Sequence, residues 1–198
     1  MEAILGRVFE TEDFEGGDLD GGLWRGCTFR GCTFEDARLT GCQFEGCVFR
    51  YCEFSGTEFS RCALENCTFE GCRLFSVDFD GCKLVGTAFR DCTVTALDIS
   101  GGNWAYTVLR GVSLHKGDLT GVKFDGADLS GCDLSGANLT GGSMREVQLA
   151  GADLRDADLR GCDLWGTDLA AAKAYRGARI DLSEAVRLAE QRGFQVEV

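Results

Sequence analysis

Twelve cysteines, a single histidine and 32 acidic side chains are the groups in this 198-residue chain that could do chemistry. Thiols hold zinc when they stand two to four residues apart with further Cys or His partners. Here neighbouring cysteines are never closer than five residues, and His115 falls at an outward position. Disulfides need an oxidising compartment. The opening MEAILGRVFETEDFEGG carries acid early and has no basic segment followed by an apolar stretch, so it reads as cytoplasmic and not as a signal peptide. Nucleophilic or acid–base catalysis fares no better. There is no nucleophile elbow, no phosphate-cradling loop and no second histidine. Carboxylate pairs such as Asp78 and Asp80 flank an apolar Phe79 and read as a solvated face. The expectation is a protein without catalytic residues, metal or cofactor.

Composition narrows the partners. A net charge of −12 and a pI near 4.5 argue against direct binding to nucleic acid or to an anionic membrane, both of which require clustered Lys and Arg. No apolar run approaches the roughly 20 residues of a membrane span. The acid either keeps an elongated protein soluble or is arranged for a partner that itself grips a polyanion.

The elements that must carry these groups follow from one periodicity. From Ile4 to Leu169 every fifth residue is apolar without a break, among them Phe9, Phe14, Leu19, Trp24, Ile99, Met144 and Leu164. At 44% hydrophobic content, such a run has a chance probability on the order of 10⁻¹². A strict five fits neither a helix of period 3.6 nor a flat strand of period 2. It fits a chain that turns a corner every five residues. Two residues before each apolar centre stands a small residue, and all 12 cysteines fall there, from Cys27 to Cys162. They alternate with Ala, Val, Thr and Gly, so they read as core filler. The residue before the small one is often Gly, as a turn with positive φ requires.

The strings Ala127-Asp128-Leu129-Ser130-Gly131, Ala137-Asn138-Leu139-Thr140-Gly141 and Ala152-Asp153-Leu154-Arg155-Asp156 resemble the A(D/N)LXX signature of the pentapeptide-repeat family. That resemblance covers about 170 residues. It implies an all-β solenoid, a right-handed quadrilateral β-helix with four pentapeptides to each coil, over 1–180. Phe dominates the centres of the N-terminal half and Leu those of the C-terminal half, so the core should change cross-section along the rod.

With twenty residues per coil, residues twenty apart stack about 4.8 Å apart. One column then reads Asp18, Arg38, Glu58, Asp78, Asp98, Asp118, Asn138, Asp158, with Asp20 and Asp80 on the same face. The preceding face adds Asp13, Glu15, Glu35, Asp36, Glu53, Asp133, Asp153 and Asp156, interrupted by Arg73 and Arg155. Opposite the main column stand Arg30, Arg50, Arg90 and Arg110. Stacked like charges cost stability, although the repeat also favours Asp there for turn hydrogen bonds. About eight coils make a rod on the order of 40 Å long, and 12 net charges along it give roughly one per 3 Å, against one per 1.7 Å for duplex DNA.

The register slips after Leu169, where Tyr175 and Gly177-Ala178-Arg179-Ile180 suggest a final shifted repeat. Residues 181–198 then read as a short helix and tail. Asp181 with Glu184 suggests a capping box, and Gly193 a C-terminal stop. Leu182, Ala185, Val186 and Ala189 share an apolar face, followed by alternating Phe194, Val196 and Val198. Such a segment either caps the solenoid or forms a two-fold dimer contact. The string ARIDLSEAVRLAEQRGF resembles the C-terminus of the quinolone-resistance branch of the family, of mycobacterial and Qnr type. That resemblance implies a homodimer joined by its tails, imitating duplex DNA and binding DNA gyrase or topoisomerase IV. The unbroken register through Leu169 is closer to the loop-free mycobacterial type than to the Qnr proteins with inserted loops. The competing expectation is a scaffold whose charged faces bind an unrelated partner.

Overall fold

The computed structural model describes residues 2–17 and 19–197, the side chain of Gln191 excepted. At every fifth residue from Gly6 to Gly166 the backbone is left-handed, with φ between 52° and 75°. Glycine adopts this conformation freely, whereas Tyr51, Tyr106 and Lys116 do so at about 1 kcal/mol or more each. The strain persists because neighbouring coils hold most of these turns through backbone hydrogen bonds, such as Tyr51 N–H to Glu70 C=O at 2.9 Å. The chain therefore winds as a square solenoid with one corner per pentapeptide.

Successive coils lie parallel and in register at an offset of twenty. Ile4 pairs with Trp24, Phe9 with Phe29, Leu39 with Phe59 and Leu74 with Val94. These pairs represent the four faces: the first holds Ile4 and Trp24, the second Phe9 and Phe29, the third Leu74 and Val94, and the fourth Leu39 and Phe59, each a separate parallel sheet. Its strands are short, from β1 (Ile4–Leu5) to β13 (Ala88–Arg90), β14 (Thr93–Thr95) and β15 (Asp98–Ser100). Among the described residues no strand follows Ser100. Beyond it the coils meet through isolated bridges, from Asn103–Lys123 to Ser143–Asp163, and each corner closes as a tight turn such as Ala127 N–H to Phe124 C=O at 2.8 Å.

The change of cross-section expected from Phe and Leu is thus a change from strand-and-corner to turn-and-bridge. In the first half, Phe9, Phe29, Phe49, Phe69 and Phe89 stack face to face at 4.7–4.8 Å, the rise of the coil itself. Rings on adjacent faces meet edge-on, as do Phe29 and Phe34 at 5.7 Å, so the quadrupoles are favourably placed in both directions.

The small positions are the corners of the square, and their size limit is visible. A Cβ on Gly22 would lie 1.9 Å from the ring of Trp24, and one on Gly102 would lie 2.2 Å from the carbonyl oxygen of Cys82. Cysteine suits these corners because its thiol donates to a carbonyl of the coil below. Sγ of Cys52 reaches Phe29 O at 3.5 Å and Sγ of Cys132 reaches Leu109 O at 2.9 Å. Thr57 Oγ1 makes the same bond to Phe34 O at 2.7 Å. All twelve cysteines are free thiols, and burial pushes that of Cys132 up to about 11.

After Leu169 the register moves from twenty to twenty-one, so that Asp153 pairs with Ala174 and Asp158 with Arg179. The extra residue is absorbed by a single 3-10 turn at Leu169–Ala171. Ala178 and Ile180 complete the last coil as expected. Helix α1 (Leu182–Gln191) then covers the open end. Leu188 packs on the core, and Arg187 donates to Leu164 O at 2.5 Å. The helix stops in a Schellman motif, with Gly193 N–H to Glu190 C=O and Phe194 N–H to Ala189 C=O. The expected capping box does not form. Asp181 instead accepts from Gly161 N–H at 2.5 Å, tying the helix start to the coil, and Glu184 pairs with Arg187. Among the described residues no helix is long and apolar enough to cross a membrane.

Because neighbouring corners already hold Ala127 and Ala137, Cys132→Ala should fold normally. It should lose about 1–2 kcal/mol, for one thiol hydrogen bond and a small void. Chemical denaturation checks this, and adding reductant should leave the unfolding midpoint of the parent protein unchanged.

Candidate protein-interaction surface

The fourth face carries the acidic column, and the parallel register fixes its order. Arg38 lies opposite Glu58, Glu58 opposite Asp78, and Asp78 opposite Asp98. Asp118 lies opposite Asn138, and Asn138 opposite Asp158. Asp80 projects beside Asp78, separated from it only by the inward Phe79. Asp18 lies outside the described residues.

These acids are not equivalent. At one end, Arg38 reaches Glu58 at 3.3 Å. At the other, Arg160 holds Asp158 at 2.6 Å with Arg179 at 3.7 Å, which brings its carboxyl down to about 2. Asp118 is occupied by its own turn. Thr120 Oγ1 and N–H and Asn138 Nδ2 all donate to its Oδ1, holding its carboxyl below the usual range. Asp20 accepts from Thr40 N–H at 3.2 Å. Between these ends, Asp78, Asp80 and Asp98 have no ion pair among the described residues. Asp78 is half-buried, and its Oδ1 is buried without a hydrogen-bond partner. Burial, then Asp98, Asp80 and Glu58, push its carboxyl above the ordinary Asp value. The uncompensated acid thus centres on Asp78, Asp80 and Asp98, with Glu58 and Asp118 at its margins.

On the second and third faces several charges pair across or along a rung, while Asp13, Glu15, Glu35 and Asp133 of the third form no ion pair among the described residues. On the second face Glu10 binds Arg30 at 2.9 Å, Glu70 binds Arg50 at 2.9 Å, and Asp128 binds Arg110 at 2.5 Å. On the third, Arg73 takes Glu53 at 2.5 Å and Arg155 takes Asp153 at 2.6 Å. Sorting residues by column located the arginines but did not register these partners. The signal was available, since Glu10 and Arg30, Arg50 and Glu70, and Arg25 and Glu45 are each twenty apart.

At the C-terminal end Leu182 is 73% exposed and Phe194 67% exposed. Ala185 is exposed, while Val186, Ala189 and Val196 are half-buried. Residues 194–197 form no strand, and Val198 lies outside the described residues. Beneath the helix is an apolar cavity of about 280 Å³ lined by Leu154, Leu169, Tyr175, Ile180, Leu188 and Arg192.

Sequence profiles for pentapeptide repeats match residues 9–53 as nine copies and 127–166 as eight, and the profile of the repeat region matches 42–119. The chain belongs to the pentapeptide-repeat family. Among solved structures, this repeat protein is similar to a trypsin-treated variant of QnrB1, described as a plasmid-mediated fluoroquinolone resistance protein. The two are 25% identical over 99% of this chain and 100% of that one, with a TM-score of 0.54. Full-length QnrB1 matches at 22% identity over 98% and 100% of the chains, with a TM-score of 0.53. HetL, a regulator of heterocyst differentiation from the cyanobacterium Nostoc sp. strain PCC 7120, shares the fold at 19% identity, 89% and 86% coverage and a TM-score of 0.52. No curated protein matches the sequence.

Asp78 yields a direct test of the column. Its raised carboxyl means that the folded state disfavours the charge, so stability should fall as pH rises through the carboxylate range. Asp78→Asn should therefore melt higher than the parent at pH 7. The advantage should shrink toward pH 4, where Asp78 itself becomes neutral. Thermal unfolding across pH measures both, and a lower melting point for the variant at pH 7 would contradict the repulsion inferred here.

Proposed function

We propose that this chain is a DNA-mimicking protein that binds a type II topoisomerase, DNA gyrase or topoisomerase IV, and modulates it in the presence of drugs that trap the cleaved complex. The observation that carries the reading is the register-matched run Glu58–Asp78–Asp98, flanked by Asp80 and Asp118, on a rod where many arginines, among them Arg30 and Arg50, are paired with acids of their own face. Folding gains nothing from this run, since stacked carboxylates at the coil spacing repel. A partner whose basic groove grips the phosphates of duplex DNA would relieve that repulsion. The resistance described for QnrB1 supports the choice of partner. The chain acts in this reading by presenting a surface in the cytoplasm, not by catalysis.

The exposed Leu182 and Phe194, with Ala185 and the half-buried Val186, Ala189 and Val196, form the second part of the proposal. Two copies would join through 181–198, with 1–180 as the rods, so that the acidic faces double in length across the two-fold axis. Changing Leu182 and Phe194 together to Asp should leave the helical signal intact, because both side chains already face solvent. Sedimentation should then show monomers where the parent shows dimers. A parent that sediments as a monomer at micromolar concentration removes this part of the proposal.

The central experiment is DNA supercoiling by purified gyrase, with and without a quinolone. The parent protein should alter supercoiling and reduce quinolone-dependent cleavage. Replacing Asp78, Asp98 and Asp118 together by Asn should weaken binding by about tenfold or more, at a few tenths to 1 kcal/mol per charge, and flatten its salt dependence. Arg30→Gln with Arg50→Gln frees Glu10 and Glu70, and so should leave binding unchanged or stronger. If the triple variant binds as tightly as the parent at every salt concentration, this column is not the mimicking surface. If the parent leaves gyrase untouched, the rod serves an unrelated partner.

A further inference from the structure

Two stretches of the solenoid stand side by side without bonding. Strands β14 and β15 pair with the coil before them, through Leu74–Val94 and Phe79–Ile99. On their other side runs the coil of residues 110–121. Among the described residues no backbone hydrogen bond joins 91–101 to it. On the same two faces of the neighbouring coils the ladder forms. Phe54 N–H reaches Arg73 C=O at 2.9 Å, and Leu114 and Leu119 reach Asp133 and Asn138 at 2.8 Å. The opening involves only the third and fourth faces, since Ala88 still pairs with Val108 and Asn103 with Lys123. A cavity of about 660 Å³ lies at its start, between Arg90, Cys92, Val94 and Arg110, Val112. Another of about 250 Å³ lies at its end, between Asp78, Asp98, Ile99 and Leu114, Asp118, Leu119.

The sequence explains why the coils part here. Leu97 fills the corner that holds Ala37, Thr57 and Val77 in the coils before it, and is the bulkiest of the four. Gly101 and Gly102 are both left-handed, with φ of 64° and 88°, so the five-residue rhythm stumbles once before Asn103 resumes it. Cys92 and Val94 are left half-buried, although Cys72 and Leu74 below them are fully covered.

We propose that this seam is a docking slot for an extended peptide segment of a partner protein, inserted as a parallel strand between the two coils. The free groups dictate the occupant. The amides of Val94, Ala96, Ile99 and Gly101 on one lip, and of Ser113 and Asp118 on the other, have no partner among the described residues. Two facing strand edges are matched by extended backbone, whereas a helix spends its donors internally. Charge sets its polarity. Arg90, Asp91 and Arg110, the last paired with Asp128, stand at the start of the slot, and Asp98 and Asp118 stand at its end with Asp78 behind them, so the start is the less acidic of the two. A parallel segment therefore carries acid near its N-terminus and base near its C-terminus, with small apolar residues inward at the corners. This proposal does not depend on the topoisomerase reading, and its test uses no enzyme.

The probe is the synthetic peptide EGATVTGAKIK, built on the frame of residues 90–100, with fluorescein at one end. The control KGATVTGAEIE reverses its charges. Fluorescence anisotropy should give a dissociation constant on the order of 10 μM for the first and at least about tenfold weaker binding for the second. In hydrogen exchange of the parent protein, the amides of Val94, Ala96, Ile99 and Gly101 should exchange fast. Saturating peptide should slow them by about tenfold or more. Thr93→Cys with Ser113→Cys places a disulfide across the slot, and its oxidised form should no longer bind. Seam amides as protected in the free protein as those of Leu114 and Leu119 would overturn the proposal, because the coils then close on each other. So would peptide binding that leaves those amides fast, equal binding of the two peptides, or binding retained by the cross-linked variant.

Discussion

The whole structure hangs on one backbone constraint, a left-handed residue at every fifth position. It bends the chain through a corner after each pentapeptide, so four pentapeptides close a square and each residue meets its counterpart twenty positions away. Like therefore stacks on like. A column of Phe becomes a ring stack at the coil rise, a column of Cys becomes a file of thiols bonded to carbonyls below, and a column of Asp becomes a line of repelling charges. The same rule that makes a small unit sufficient for a long core also amplifies any one residue type on the surface. The cost of non-glycine corners such as Tyr51 and Tyr106, about 1 kcal/mol each, is spread along a rod in which most turns are held by the adjoining coils.

The rod is nevertheless not uniform. Phe centres with Cys corners give strands and flat ring stacks, whereas Leu centres with Ala corners give a solenoid held by turns and single bridges. The junction falls near residues 91–121. There β-branched Val94 and Ile99 replace Phe or Leu at the centres, Leu97 crowds a corner, and the ladder opens on two of four faces. A solenoid tolerates such a break because each coil is fastened only to its neighbours, and contact on the first and second faces keeps the halves joined.

Electrostatics separates the faces more sharply than formal charge does. Several arginines that lie twenty residues from an acid on the same column reach it across one rung. The pairs Glu10–Arg30, Glu53–Arg73 and Arg50–Glu70 form in this way. On the fourth face unpaired acids follow one another along a single column, through Asp78 and Asp98. There burial, and after it the neighbouring carboxylates, push the half-buried Asp78 carboxyl above its usual range.

The five-residue period, the inward centres, the small corners and their glycines were legible from residue order alone. Each depends only on steric size and on the φ that a residue tolerates, both local properties. The acidic column was legible for the same reason, because a fixed coil length turns sequence spacing into position. Other features depended on three-dimensional contact. Asp158 drops out of the acidic patch because Arg160 folds onto it and Arg179 arrives through a register shifted by one residue. Asp181 bonds to Gly161 in the last coil instead of capping its own helix, since that amide lies within reach only after the solenoid has closed. The open seam depends on how Leu97, Gly101 and Gly102 act together on the spacing between coils. Whether two edges meet is settled by packing around the whole square, and no single pentapeptide carries that information.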